Sequence, residues 1–185
     1  MMFDISKSVG CTERMNYLKR GFLFYMCSSC MLLVQFAIYL VNSNYWESLN
    51  FVGGFYYLMA ALGQAFLFNL IPWVILYIPF TWWRQMRKVG TILFSCAIFL
   101  LNVLAYLNGI VFQLYKFHIN GFVLDLAFGG GGNQVFVFNN TLILHGVLIG
   151  LLILLFTLAV VFIAYRYARY VTSKQVKIGI YLFLF

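Results

Sequence analysis

Residues 141–165 read TLILHGVLIGLLILLFTLAVVFIAY, and this stretch decides the fold class. It contains no Asp, Glu, Lys or Arg, and it exceeds the ~20 mostly apolar residues with which a helix crosses a bilayer. The whole chain is 64% hydrophobic and only 9% charged, with a mean hydropathy of +0.94. Soluble domains carry about 25% charged residues. Since lipid requires internally satisfied backbone groups, the pattern predicts an all-α, polytopic membrane helix bundle.

Three more uncharged runs precede this one, and a fifth begins after it. We predict spans at about 21–42, 55–80, 90–112 and 141–165, a cytoplasmic N-terminal segment 1–20, a transmembrane domain 21–185 and an outer connection 113–140. Pro72 is expected to kink the second span. Residues 178–185 look like the opening of a fifth span, so we expect four complete spans and one truncated span.

The basic residues predict the orientation. Eleven of the 12 fall on one side of the predicted spans: Lys7, Arg14, Lys19, Arg20, Arg84, Arg87, Lys88, Arg166, Arg169, Lys174 and Lys177. Lys116 is alone on the other side. Positive charge concentrates on the cytoplasmic side of membrane proteins, which predicts a cytoplasmic N-terminus. Short clusters between apolar runs explain the net charge of +8 without nucleic-acid binding.

Two of these clusters are candidate lipid-binding sites. They comprise Arg84, Arg87 and Lys88 after the second span, and Arg166, Arg169, Lys174 and Lys177 after the fourth. Such clusters hold anionic headgroups such as that of cardiolipin, but ordinary topology determinants have the same composition. Trp73, Trp82 and Trp83 fit an aromatic belt at the same interface.

The connection between spans three and four contains a candidate docking motif: Phe117, His118, Asn120 and Asp125. We predict a short interfacial helix here, capped by Asn120, with Asp125 paired to Lys116 or His118. Two interpretations stand: a structural re-entry that packs on the bundle, or a docking surface for lipid or an outer domain. One His and one Asp do not make a metal ligand set.

The sequence contains no visible set of a nucleophile and a neighbouring base. We therefore expect no catalytic residues, bound metal or cofactor within residues 1–185. Cys27 and Cys30 have redox-motif spacing, but they lie inside an apolar run where thiols are usually packing residues. His145 is expected to face the bundle interior. The other polar residues within or near the spans are expected to form interhelical hydrogen bonds: Gln35, Gln64, Asn69, Asn102 and Asn108.

One family shares this pattern. Val111-Phe112, then Phe117-His118-Ile119-Asn120, Val123-Leu124-Asp125-Leu126 and the glycine run 129–132 resemble the N-terminal membrane domain of YejM/PbgA-type inner-membrane proteins. The spans, the inside N-terminus and the basic loop after span four also resemble that family. The resemblance covers about residues 15–185.

The resemblance implies a bacterial inner-membrane protein whose periplasmic sulfatase-like or alkaline-phosphatase-like domain follows a fifth span. It implies a role in lipopolysaccharide homeostasis through lipids, such as cardiolipin or lipopolysaccharide, and membrane-protein partners. We therefore hypothesise a non-catalytic membrane domain that anchors the outer domain. One alternative is the membrane portion of a phosphoglycerol or phosphoethanolamine transferase. The other is a small lipid or solute transporter.

The anchoring hypothesis makes a prediction about the gene. Its reading frame is expected to continue past Phe185, complete the fifth span and encode a sulfatase-like domain. Sequencing of the transcript checks this, and a natural stop codon directly after Phe185 would exclude the anchoring role. A metal-binding set with a Thr nucleophile in the downstream sequence would instead favour the transferase.

Overall fold

The structure is a computed structural model. It describes residues 2–42, 50–116, 118–121, 123, 125, 140–171, 174 and 176, and the side chains of these residues except 2–11, 41, 42, 140 and 142. The described residues contain no strand, and four of their helical segments are long and apolar enough to cross a membrane. We label the helices α1 Met2–Asn42, α2 Phe51–Pro72, α3 Arg87–Tyr115 and α4 Asn140–Tyr167. The predicted fold class is thus confirmed.

Helix α1 begins well before the predicted first span. It runs unbroken for 41 residues from Met2, which is ~60 Å at 1.5 Å per residue. Its candidate span is Thr12–Leu40. The charged residues before Gly21 led to a later predicted start, but charge limits how deeply a helix enters lipid and does not prevent the backbone from being helical.

Helix α2 changes its winding where the sequence predicts a kink. It is α-helical to Pro72, continues as one π turn over Trp73–Tyr77 and ends as a 3-10 turn over Ile78–Thr81. Proline removes a backbone donor and crowds the preceding turn, so the regular bonding pattern changes at this position. The expected place of Trp73 in an exposed belt is wrong, because its side chain is only 2% exposed.

Helices α2 and α3 are joined by a tight turn containing Arg84–Met86, and α3 ends at Lys116. Lys116 has a left-handed backbone with φ 60°, and its N–H bonds to the carbonyl of Phe112 at 2.9 Å. This αL ending turns the chain back over the end of α3. The glycine run 129–132 and the predicted fifth span 178–185 lie outside the described residues.

Helices α1 and α3 form the centre of the bundle. Each packs against the other and against both α2 and α4. Only a narrow stripe of each helix is buried, and small residues such as Gly21, Ala61, Gly90 and Ala164 occur on those stripes. Small interfacial residues let backbones approach closely in membranes. Many of the other apolar side chains are exposed, as expected where lipid is the solvent.

An aromatic cluster fills the bundle interior. Tyr17 of α1 stacks on Tyr77 at 4.2 Å between ring centroids, with the planes 2° apart. The Tyr77 hydroxyl donates to the Tyr17 carbonyl at 2.8 Å, and the Tyr17 hydroxyl donates to the Tyr77 carbonyl at 3.4 Å. Phe94 of α3 packs on Tyr77 at 5.3 Å. The cluster therefore joins α1, the end of α2 and α3.

Buried polar residues link the helices, as the sequence predicts for most of them. Gln35 of α1 donates to Asn102 of α3 at 3.2 Å, and Asn69 of α2 donates to Ser29 of α1 at 3.2 Å. Gln64, by contrast, is exposed on α2. The prediction for His145 is wrong, because its side chain is exposed on α4. Hydropathy places a residue along a span but does not state which face meets the neighbouring helices.

Replacing Gly21 by alanine is expected to destabilise the bundle. A Cβ at this position would overlap the Tyr77 ring, whereas a Cβ at Gly63 would meet nothing within 4 Å. Overpacking of this kind costs about 1–3 kcal/mol. Thermal unfolding in detergent should show a lower midpoint for Gly21→Ala and no loss for the matched control Gly63→Ala. Equal midpoints would contradict the described packing.

Candidate functional site

Most of the described charges meet at one end of the bundle. Glu13 of α1 accepts from Arg84 at 2.9 Å through one carboxylate oxygen and from Arg87 at 3.5 Å through the other. Within the part of the chain that the structure describes, the ion pairs are these two contacts of Glu13. The carboxylate thus ties α1 to the turn between α2 and α3. We call this the basic end of the bundle. Arg14 and Arg20 of α1 and Arg166 in the last turn of α4 lie at this end too, where Arg20 contacts Tyr165.

The two arginines held by Glu13 have different surroundings. The Arg87 side chain is only 16% exposed, whereas that of Arg84 is 73% exposed. Arg87 also donates to the Thr81 carbonyl at 3.3 Å and lies 5.9 Å from the centroid of the Tyr17 ring. A charge withdrawn from water needs such partners. Arg87 is therefore part of the packing, and Arg84 remains accessible.

Aromatic rings hold three more guanidinium groups of the basic end. Arg14 lies 4.7 Å above the Trp82 ring, and Arg20 lies 4.4 Å above the Tyr165 ring. Arg169 lies 4.9 Å above the Tyr170 ring and donates to its hydroxyl at 3.0 Å. Such cation–π contacts orient a guanidinium group without neutralising its charge. These cations therefore keep their attraction for anions.

Most of the predicted lipid-binding residues are accessible. Arg87 is only partly exposed, whereas five others have exposed side chains: Arg84, Lys88, Arg166, Arg169 and Lys174. Lys177 lies outside the described residues. Trp82 and Trp83 are 63% and 61% exposed, and they line a shallow open pocket with Arg84. Exposed cations beside exposed indoles are the arrangement with which proteins meet a membrane interface.

At the opposite end of the bundle, Asn108 holds the start of the connection between α3 and α4. Its Oδ1 accepts from the Ile119 N–H at 2.8 Å, and its Nδ2 lies 3.1 Å from the Nδ1 of His118. The His118 ring also stacks on Phe112 at 4.6 Å between centroids. Tyr39 of α1 lies 6.5 Å from the same imidazole. These contacts fold the connection back onto α3.

The predicted docking motif is partly described. The Asn120 side chain accepts from the Val123 N–H at 3.1 Å, and residues 121, 123 and 125 are helical, so the predicted cap is confirmed. The predicted pairing of Asp125 with Lys116 or His118 is not among the ion pairs of the described residues. Asp125 is exposed, where water competes for the charge. Phe117 lies outside the described residues.

The described residues hold no group of three or more His, Cys, Asp or Glu that could ligate a metal ion. Cys27, Cys30 and Cys96 are free thiols; Cys27 is partly buried and the other two are exposed. The arrangement at the basic end is suited to binding anions, and the arrangement at the opposite end is suited to positioning a segment of chain.

Two residues, Glu13 and Asn108, organise these ends in ways that the sequence pattern did not predict. Glu13 escaped notice because only positive charges indicate orientation, yet it is one of only four acidic residues in the chain. A single Glu within a basic segment is the sequence pattern that could have indicated an ion pair here. Asn108 was assigned an interhelical bond, and it instead binds the connection ten residues further on. The left-handed turn at Lys116, which brings His118 back, has no sequence signal such as glycine.

Comparison with known proteins gives one match. A family described as "Domain of unknown function (DUF3413)" matches residues 12–185, nearly the whole chain. No curated protein and no solved structure is detectably similar to the chain.

The unequal burial of the two arginines predicts unequal effects on stability. Arg87→Gln is expected to lower the unfolding free energy by about 1–3 kcal/mol, because Glu13 and the Thr81 carbonyl lose a partly buried, charged donor. Arg84→Gln is the matched control, with an expected loss below about 1 kcal/mol because the pair is exposed. Thermal or denaturant unfolding in detergent measures both. A larger loss for Arg84→Gln would contradict the assigned roles.

Proposed function

The chain belongs to the DUF3413 family, and from this membership we propose that it is a non-catalytic membrane domain. It anchors a periplasmic sulfatase-like domain and takes part in envelope lipid or lipopolysaccharide homeostasis. YejM/PbgA-type proteins carry the same domain at their N-terminus, which supports the proposal. In this role the domain acts by binding: one end of the bundle meets anionic lipid, and the other positions the outer domain.

The observation that carries the proposal is the layer of accessible cations at the basic end. Arg84, which is 73% exposed, lines one shallow pocket with the exposed indoles of Trp82 and Trp83, and Lys88 and Arg166 have exposed side chains at the same end of the bundle. Indole rings lie at the headgroup level of a bilayer, and cations near an anionic leaflet gain about 1 kcal/mol each. Lipids with phosphate headgroups, cardiolipin among them, fit this chemistry.

The proposed orientation places the basic end in the cytoplasm of a bacterium and the opposite end in the periplasm. It rests on the unequal distribution of basic residues between the two ends. In this orientation the inner membrane holds the bundle, and the exposed stripes of α2 and α4 are available to inner-membrane protein partners. The connection that Asn108 holds then faces the outer domain.

The two alternatives have less support. The membrane portion of a transferase needs catalytic groups, and these would have to come from another domain. A transporter needs polar residues along a passage, and the expected candidate His145 lies on the exposed surface of α4. The buried Asn102 and the partly buried Gln35 are bonded to each other. Such pairs stabilise helix packing.

Removing two accessible cations is expected to weaken binding of anionic lipid. In Lys88→Gln/Arg166→Gln, each lost charge should lower cardiolipin affinity about fivefold, since each contributes about 1 kcal/mol. Native mass spectrometry of the detergent-solubilised chain, titrated with cardiolipin and with phosphatidylcholine, measures the affinity. The matched control is Lys116→Gln at the opposite end, which should bind as the wild type does. Equal cardiolipin binding by the double variant and the control would reject the lipid-binding site.

A further inference from the structure

Three groups form a clasp at the end of α3: the Asn108 side-chain amide, the His118 ring and the Ile119 backbone N–H. The Asn108 Oδ1 accepts from the Ile119 N–H at 2.8 Å, and Nδ2 faces the His118 Nδ1 at 3.1 Å. The Lys116 backbone, with φ 60°, makes the turn that brings His118 and Ile119 back to Asn108. A left-handed backbone is costly for a residue other than glycine. The hydrogen bonds of the clasp therefore offset the unfavourable backbone conformation of Lys116.

The chemistry of the clasp determines where its protons lie. A backbone N–H only donates, so the amide atom that faces Ile119 must be the oxygen. The NH₂ group of Asn108 then faces His118, and the His118 Nδ1 must be an acceptor. An imidazole with a free Nδ1 is neutral and carries its proton on Nε2. The geometry therefore assigns His118 as the neutral Nε2–H tautomer in the closed clasp.

Protonation of His118 is incompatible with both bonds at once. It places a proton on Nδ1, which then faces the two protons of the Asn108 NH₂ group. If the amide rotates to offer its oxygen to His118, its NH₂ group faces the Ile119 N–H, and that bond is lost. Each orientation of the amide therefore sacrifices one hydrogen bond of the clasp. The charged imidazole favours the orientation with the amide oxygen on its Nδ1–H, because a hydrogen bond from a cation is the stronger one, and the Ile119 N–H then loses its acceptor.

We propose that the Asn108–His118 clasp is a pH-sensitive latch on the connection between α3 and α4, closed when His118 is neutral and released when it is protonated. Histidine is the side chain that ordinarily changes charge between pH 5 and 8. The latch gives the membrane domain a response to acidification on the side where the connection emerges.

Beyond the clasp, the described neighbours of the His118 ring are aromatic side chains of α1 and α3. Phe112 stacks on the imidazole at 4.6 Å, and an aromatic face attracts a cation. From α1, Tyr39 presents a second ring at 6.5 Å. The charged residues of the connection are Lys116 and Asp125, and both have exposed side chains, where water and salt screen a charge. The His118 side chain is itself exposed, so a proton reaches it directly from solvent.

The biological consequence of the latch rests on the proposed function, because the released segment is the one proposed to dock the outer domain. Release moves the Asn120 cap and the helical turn that it begins, since both follow Ile119 directly. The docking surface would then be presented differently at acidic and neutral pH. The latch itself is a property of this chain and is testable without the outer domain.

The primary test measures the Ile119 amide in the chain reconstituted in lipid nanodiscs. Its hydrogen-exchange protection factor, corrected for the intrinsic rate at each pH, is expected to fall about three- to tenfold between pH 8 and pH 5, the value of one hydrogen bond. Nitrogen NMR of the histidine rings at pH 8 should show His118 as the Nε2–H tautomer. A pH-independent protection factor, or a His118 proton on Nδ1, would overturn the latch.

Two variants distinguish the latch from a general effect of acid. His118→Gln retains an acceptor and cannot titrate, so protection of Ile119 should not change with pH. In Asn108→Asp the carboxylate accepts from both Ile119 and protonated His118, so protection should rise on acidification. The matched control is His145→Gln, which removes the other exposed histidine and should respond as the wild type does. A fall in protection for His118→Gln, or its absence in His145→Gln, would assign the pH response elsewhere.

A separate measurement tests the link to docking. In the full-length protein, cross-linking between residue 121 and the outer domain should change with pH in the wild type but not in His118→Gln. If Ile119 protection changes with pH and cross-linking does not, the latch stands and the docking role in the proposed function fails. If neither changes, the latch fails and the lipid-binding result decides the proposed function by itself.

Discussion

The stacked pair of Tyr17 and Tyr77 is the contact on which the rest of the bundle depends. Each hydroxyl donates to the backbone carbonyl of the other residue, and the rings lie 4.2 Å apart. The helices can approach this closely because Gly21 carries no Cβ that would overlap the Tyr77 ring, and Gly90 carries none that would overlap the Tyr17 hydroxyl. Trp73 and Tyr77 begin and end the π turn, and both are buried. The pair lies where α1, the end of α2 and α3 meet, since Phe94 of α3 packs on Tyr77.

The position of this pair also explains the arrangement of charges beside it. Arg87 lies against the Tyr17 ring and is held by Glu13, so the guanidinium group continues the same packed contact toward the bundle end. The cations further out, including Lys88 and Arg166, have exposed side chains. A charge buried near the core needs a fixed partner, whereas an exposed one is solvated. The basic end thus has a structural inner layer and an accessible outer layer.

The two ends of the bundle use polar groups differently. At the basic end, charged groups and aromatic rings join different helices, as in the contact of Arg20 with Tyr165. At the opposite end, the neutral amide of Asn108 binds a neighbouring segment through two short bonds. An ion pair between α1 and α3 tolerates changes in length of a few tenths of an ångström. The Asn108 clasp depends instead on the exact placement of protons, which makes it responsive to pH.

The sequence by itself determined the membrane character, the helical fold, the presence of four helices that can span a membrane and the Asn120 cap. These follow from hydropathy along the chain and from one local hydrogen bond, and neither depends on how the helices pack. Tertiary structure alone decided which face of each helix is buried. It placed Trp73 inside and His145 outside, and it brought Glu13 to Arg84 and Arg87 across more than 70 positions of sequence. Lipid exposes apolar side chains as readily as a helix interface buries them, so hydropathy does not distinguish the two faces.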